Sequence, residues 1–325
     1  MVWASTNRKP AAMTHPERTL GAMTVVEDAA RVTQAGSWIL AGTHGPAQVR
    51  SLVPDAFEDY ARIFHPAARQ ADECDPPVRA LCEPTTGVPF YAKAHDVLWR
   101  EVRWREIAEA NGKIAHPVMQ WPSITASHDI GPGTQPGLWE RAPQPDSLPL
   151  RLTRVLCEIL ADFTRTQERC WCAVWEGYGY MVGLRSDSTL PRLAMWNRPM
   201  IVACGPLSAV PEKPFTDGYR AATMPIRLYP VRGTREVWAS TGFADAPEHD
   251  TGWESGESYR SPSLWWPDDR AWCVATDVEM QETYLGASRA CVNRLLTDER
   301  LEIMRVTADQ DITWESDVIN RPRPH

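Results

Sequence analysis

The sequence predicts an α+β protein: a mixed or antiparallel sheet with a few packed helices, one domain over 37–320 with two similar lobes, 37–140 and 146–320. Three observations predict it. Apolar residues at helical spacing run from Leu152 through Val155, Leu156, Ile159 and Leu160 to Phe163. Two short segments, WCAVWE at 171–176 and WCVATD at 272–277, have the apolar character of strands covered on both faces. No regular strand–helix–strand rhythm links such segments, which argues against a doubly wound parallel sheet.

Taken in order, residues 1–36 are expected to form a disordered leader, with the first ordered element at Trp38-Ile39-Leu40 and a turn over Gly42–Pro46. VPDAFEDYARIFHPA admits two readings. Phe57, Tyr60, Ala61 and Phe64 have helical spacing behind Pro54-Asp55, yet Tyr60–Phe64 also fits a short strand stopped by His65-Pro66. Residues 70–91 form a loop. The second half of VLWREVRWREIAEANG predicts a short helix with a left-handed cap at Asn111-Gly112. The Gly/Pro cluster at 131–137 marks a seam between the lobes.

The stripe beginning at Leu152 predicts a helix over 148–163, capped by Asp146 or Ser147, with Pro149 in its first turn. Arg151, Arg154, Glu158 and Asp162 take its wet face. A strand follows at 170–177, then an apolar run at 198–207. Residues 211–262, rich in Pro, Gly and acids, are expected to hold a hairpin pairing Ile226–Tyr229 with Glu236–Ser240. In LWWPDDRAWCVATDVE, Pro267–Arg270 reads as an entry turn to a strand from Trp272 to Val278. A helix capped by Ser288 buries Cys291, Val292, Leu295 and Leu296. Strands at 301–306 and 311–314 and a tail at 321–325 complete the chain.

The totals exclude several classes. The formal net charge is −8 with acids and bases interspersed, so there is no basic stripe for nucleic acid. No apolar run approaches the roughly 18 residues of a membrane span, and the amino terminus lacks a signal peptide's apolar core. A cytoplasmic protein is the expectation. The 8 cysteines contain no C-x-x-C, so neither a metal site nor a disulfide framework is expected. Gly177, Gly179 and Gly183 approximate a dinucleotide fingerprint, but the following segment has no helical stripe to receive a pyrophosphate. No cofactor is therefore expected.

The two WC segments share a template that ends on an acid. Alternation puts Cys172, Val174 and Glu176 on one face of the first strand, and Cys273, Ala275 and Asp277 on one face of the second. If the strands run together, Glu176, Asp277 and Glu279 converge at one mouth, near the tryptophans and Arg270. These three carboxylates are the catalytic candidates. The binding candidates are Arg270, Asp268, Asp269, Trp265 and Trp266, although Pro267 followed by aspartate is also ordinary turn chemistry.

SLVPDAFEDYARIFHPA, VRWREIAEANG, CWCAVWEGYG, CGPL and SPSLWWPDDRAWCVATDVEMQETYLGAS together resemble a family of uncharacterised actinobacterial proteins, over most of 38–320. That resemblance implies no activity and no catalytic residues. Relative to the family pattern, Asp277 and Glu279 exchange two acids and Gly286-Ala287-Ser288 alters a turn. The expected function is a non-enzymatic binding protein of immunity or defence type, meeting a protein partner through an acidic, Trp-rich surface. The competing readings are a hydrolase-like enzyme using the carboxylate cluster and a carbohydrate-binding protein.

Overall fold

The computed structural model describes residues 19–20, 23–45, 47–70, 90–94, 97–125, 135, 137–177, 193–195, 198–211 and 260–320. The architecture is α+β. Its large sheet orders β1 (Thr19–Leu20), β2 (Met23–Val25), β9 (Arg198–Gly205), β7 (Cys170–Trp175), β10 (Leu264–Pro267), β11 (Trp272–Ala275), β12 (Glu282–Ala287), β3 (Asp59–Phe64) and β13 (Ile303–Val306). A further strand, β8 (Leu193–Met195), pairs with β9 off this path, and every pairing is antiparallel. A separate small sheet orders β4 (Ala67–Gln70), β6 (Val97–Val102) and β5 (Phe90–Ala94).

Helices cover both faces of the large sheet, which is why its central strands are apolar throughout. On one face, α5 (Leu150–Ala161) and α6 (Arg289–Leu296) lay Leu156, Ile159, Leu160, Cys291 and Leu295 against Cys172, Val174, Trp265, Trp272 and Leu285. On the other, α1 (Ala29–Gly42) and α2 (Val49–Leu52) set Val32, Ile39, Val49 and Leu52 over Trp171, Ala173, Trp266, Cys273 and Tyr284. Each such aliphatic side chain, fully buried, contributes roughly 1.5–3 kcal/mol.

Several expectations change. Residues 23–36 are not leader. Asp28 caps α1 by accepting from the N–H groups of Ala30 and Arg31, and the buried Val32, Gly36 and Ile39 lie on the helix face turned to the sheet. Trp38-Ile39-Leu40 belongs to this helix rather than starting the fold. The ambiguous Tyr60–Phe64 is strand β3. Its interior position between β12 and β13 buries all six residues, so tertiary pairing overrides the helical spacing. The helix predicted over 148–163 spans 150–161 and lacks a side-chain cap. Asp146 pairs instead with Arg260, and Ser147 Oγ accepts from the Ser261 N–H at 2.9 Å. Ser288 does cap α6, accepting from the Cys291 N–H. Residues 311–314 form one bridge, Gln48 to Asp311, and no strand. The expected 226–240 hairpin lies outside the described residues.

The lobes are neither similar nor divided at 140. Strands from before and after that point share the large sheet. The smaller lobe packs its three-stranded sheet with α3 (Trp104–Ala110) and α4 (Trp121–Thr125) around Trp104, Trp121 and Trp139, whose ring centroids lie 5.3 and 5.0 Å apart in sequence. Buried Arg62 of β3 joins the two lobes. Its guanidinium donates to the carbonyls of Pro117 and Met119 and to Glu282 Oε1 at 2.9, 2.8 and 2.9 Å. Glu302 accepts from the Trp104 and Arg105 N–H groups at the start of α3, and burial raises its pKa despite those donors.

Candidate functional site

Strand β10 sits between β7 and β11 and is antiparallel to both, so β7 and β11 run the same way and end together. Register decides what those ends bring together. Leu264 pairs with both Ala173 and Ala275, which puts Cys172 level with Val274. The two WC templates are therefore offset by one residue. Cys172 faces α5 while Cys273 faces α1, so like positions of the template point to opposite faces.

At the end where β7 and β11 stop, the charged centre is Arg198, at the start of β9. Its guanidinium lies 2.8 Å from Glu279 Oε1, 4.0 Å from Asp277 Oδ1, and 5.2 Å from the centroid of the Trp175 ring. Asp277 Oδ1 also accepts from the Glu279 N–H at 3.0 Å, and the Asp277 carbonyl accepts from the Met280 N–H at 3.1 Å. That is an Asx-type turn leading β11 into β12. Glu176 stands at the same end, its N–H donating to the Pro199 carbonyl at 3.1 Å. Asp277 and Glu279, two residues apart in one turn, therefore meet at Arg198. The one-residue offset puts the Glu176 position of the template on the face opposite that of Asp277, so this register does not build the expected convergence of all three carboxylates. Arg270 lies beyond the opposite end of β11, a strand of four residues that itself spans about 13 Å at the usual rise.

The other end is built by the β10–β11 turn. The Arg270 N–H closes it by donating to the Pro267 carbonyl at 2.9 Å, and Arg270 itself takes a left-handed φ of 56°. Asp269 accepts from Thr164 Oγ1 and the Arg165 N–H, each at 2.8 Å. Burial works against its charge, but these donors with the Ala271 N–H outweigh it and hold the carboxyl below its ordinary pKa. Asp268 accepts from the Trp171 indole N–H at 3.0 Å and pairs with Arg169 at 3.3 Å. Both aspartates are thus committed to holding the turn. Arg270 pairs with neither; its guanidinium stacks 5.4 Å from the centroid of Trp38 on α1.

Between this turn and α1 opens a cleft of about 350 Å³, lined by Arg31, Gln34, Arg169, Trp171, Trp266, Asp268 and Arg270, with Ala35. Trp171 and Trp266 are cross-strand partners on the face turned to α1. Arg31 sits 5.8 Å from the centroid of the Trp171 ring. Nearby Cys204 is pushed up to about 11 by burial, with Arg169 and Arg31 pulling against that rise. Three guanidiniums face one carboxylate, a local charge opposite in sign to the chain's −8. No family model, curated protein or solved structure matches this chain.

Of the binding candidates, Asp268, Arg270 and Trp266 reach the cleft. Trp265 does not. Alternation sends it to the other face, where it packs edge-on against Trp272 at 5.3 Å. Both tryptophans are core: Trp265 and Trp266 are 0% and 1% exposed, because both faces of β10 are covered. Arg31, Gln34, Arg169 and Trp171 were not anticipated. The available signal was Asp28 standing before the helically spaced Val32, Ala35 and Ile39, which would have placed Arg31 and Gln34 on an ordered helix. Among the described residues, no group of three or more His, Cys, Asp or Glu is placed to hold a metal, and no helix is long and apolar enough to cross a membrane.

Proposed function

We propose that this is a non-enzymatic binding protein that takes a small anionic ligand in the cleft between α1 and the β10–β11 turn. One observation carries this reading. Arg31 rests on the ring of Trp171 in the cleft and Arg270 on that of Trp38 on α1, and neither has a carboxylate within ion-pair distance among the described residues. A guanidinium held by stacking keeps its N–H donors directed outward without a protein counter-ion. Its fixed fork suits oxyanions.

Within the binding class, the cleft favours an anionic ligand over the basic partner suggested by the overall charge. Asp277 and Glu279, engaged by Arg198 and by the turn after β11, support closure of that turn over general acid–base work. The test is calorimetric titration of the protein with oxyanions at low and high ionic strength, alongside Arg31→Gln and Arg270→Asn. Asparagine is chosen at 270 because it tolerates left-handed backbone. The expected result is salt-sensitive binding that both substitutions weaken. Identical binding by the unaltered protein and both folded variants overturns the site.

A further inference from the structure

Resting on that reading of the cleft, we infer that the ligand is a phosphate monoester of a small polar alcohol, its phosphate held between Arg31 and Arg270. The two arginines come from different elements, α1 and the β10–β11 turn, and stack on different rings, Trp171 and Trp38. A carboxylate is planar and can be satisfied by one bidentate guanidinium. A tetrahedral phosphate presents three terminal oxygens in different directions, so two separate forks can hold it at once. Charge points the same way. Arg31, Arg169 and Arg270 against Asp268 leave two net positive charges at the cleft, and a phosphate monoester carries about −1.5 to −2 near neutral pH.

Size and wall chemistry describe the rest of the molecule. A cleft of about 350 Å³ is larger than a bare phosphate needs, since one water's share of liquid volume is about 30 Å³. The remaining wall is not an apolar stacking surface: Trp171 and Trp266 are 4% and 1% exposed, and serve as a floor beneath the charged groups. Gln34 is the lining side chain that offers both donors and an acceptor, and its amide suits a hydroxyl group. An aromatic or acyl substituent finds little to cover, whereas a hydroxylated one finds a partner.

The test uses the full chain and three probes, glycerol 3-phosphate, inorganic phosphate and succinate, measured by calorimetry. Glycerol 3-phosphate is expected to bind best, with inorganic phosphate several-fold weaker and succinate weaker by about tenfold or more. Arg31→Gln and Arg270→Asn should each cost about 10–100-fold in glycerol 3-phosphate affinity, the range for a lost charge-assisted hydrogen bond. Gln34→Leu should erase the advantage of glycerol 3-phosphate over inorganic phosphate. Both arginines are surface positions, and thermal melting confirms that the variants are folded. If succinate binds as tightly as glycerol 3-phosphate with the same arginine dependence, the phosphate assignment falls and the anion cleft stands. Equal affinity for inorganic phosphate and its ester removes the ester. No arginine-dependent binding of any probe removes both the ligand class and the cleft.

Discussion

Trp171 donates its indole N–H to Asp268 across 3.0 Å, tying the floor of the cleft to the turn that carries Arg270. The same carboxylate pairs with Arg169, so Asp268 both builds the site and subtracts from its positive charge. The two roles separate by substitution. Asp268→Asn retains an oxygen for the indole and removes the negative charge. It is expected to leave stability within about 1 kcal/mol and to raise anion affinity several-fold at low salt. Asp268→Ala instead orphans the Trp171 N–H and should cost about 1–3 kcal/mol in urea unfolding.

Arg62 ties β3 to β12 and to the smaller lobe through three hydrogen bonds. Its guanidinium is almost wholly buried, with one carboxylate and two carbonyl partners, and it lies 4.7 Å from the Phe64 ring centroid. Arg62→Met strands Glu282 as an unpaired buried charge and should cost roughly 3–5 kcal/mol by denaturant unfolding. Adding Glu282→Gln should recover part of that loss. If the double variant is no more stable than Arg62→Met alone, the penalty comes from the lost carbonyl contacts and not from the stranded carboxylate.

Gly286 answers to packing. A Cβ there would stand 2.4 Å from Phe57 Cδ2 and 2.9 Å from Val53 Cγ1. Gly286→Ala is therefore expected to destabilise by about 1–3 kcal/mol through overpacking. Phe57→Leu in the same chain should relieve much of it, measured as recovery of the thermal midpoint.

His65 gives the fold an acid sensitivity. Its Nδ1 lies 2.8 Å from the Gln144 carbonyl, which can only accept, so Nδ1 carries the proton. Nε2 then accepts from Thr283 Oγ1 at 2.9 Å. Burial lowers its pKa from 6.5 to about 4, outweighing the opposing hydrogen bond to Gln144. The unfolded chain takes up this proton at a higher pH than the folded one, so the native state loses stability as pH falls from about 6.5 to about 4. The loss should reach up to about 3 kcal/mol and then level off. His65→Gln is expected to flatten that part of the stability–pH curve; an unchanged slope assigns the sensitivity to other groups.

Legibility from sequence followed how local the determining signal was. The α5 stripe and the Ser288 cap of α6 are set by residues within a few turns of one another, and both appear as read. β3 resisted assignment because its partners, β12 and β13, lie far along the chain; nothing within Asp59–Phe64 announces a strand interior to a sheet. The cleft shows the same limit. The turn residues Asp268 and Arg270 stood out through proline–aspartate chemistry, whereas Arg31 and Gln34 lay on a helix mistaken for leader. The carboxylate convergence depended on an arginine, Arg198, that strand alternation alone does not bring into view.

The position of β3 also governs the order in which the molecule can be assembled. All six of its residues are buried, and it pairs with strands such as β12, whose Glu282 follows Arg62 by 220 residues. At synthesis rates of about 5–20 residues per second, roughly 10–40 s pass between the emergence of β3 and that of its first partner strand. Throughout that interval a strand built to be buried, with two open edges and its Arg62 unpaired with Glu282, waits on the ribosome. The nascent chain, not the finished protein, is therefore the form most exposed to aggregation, and slowing the synthesis of its last third should lower soluble yield without altering the folded product.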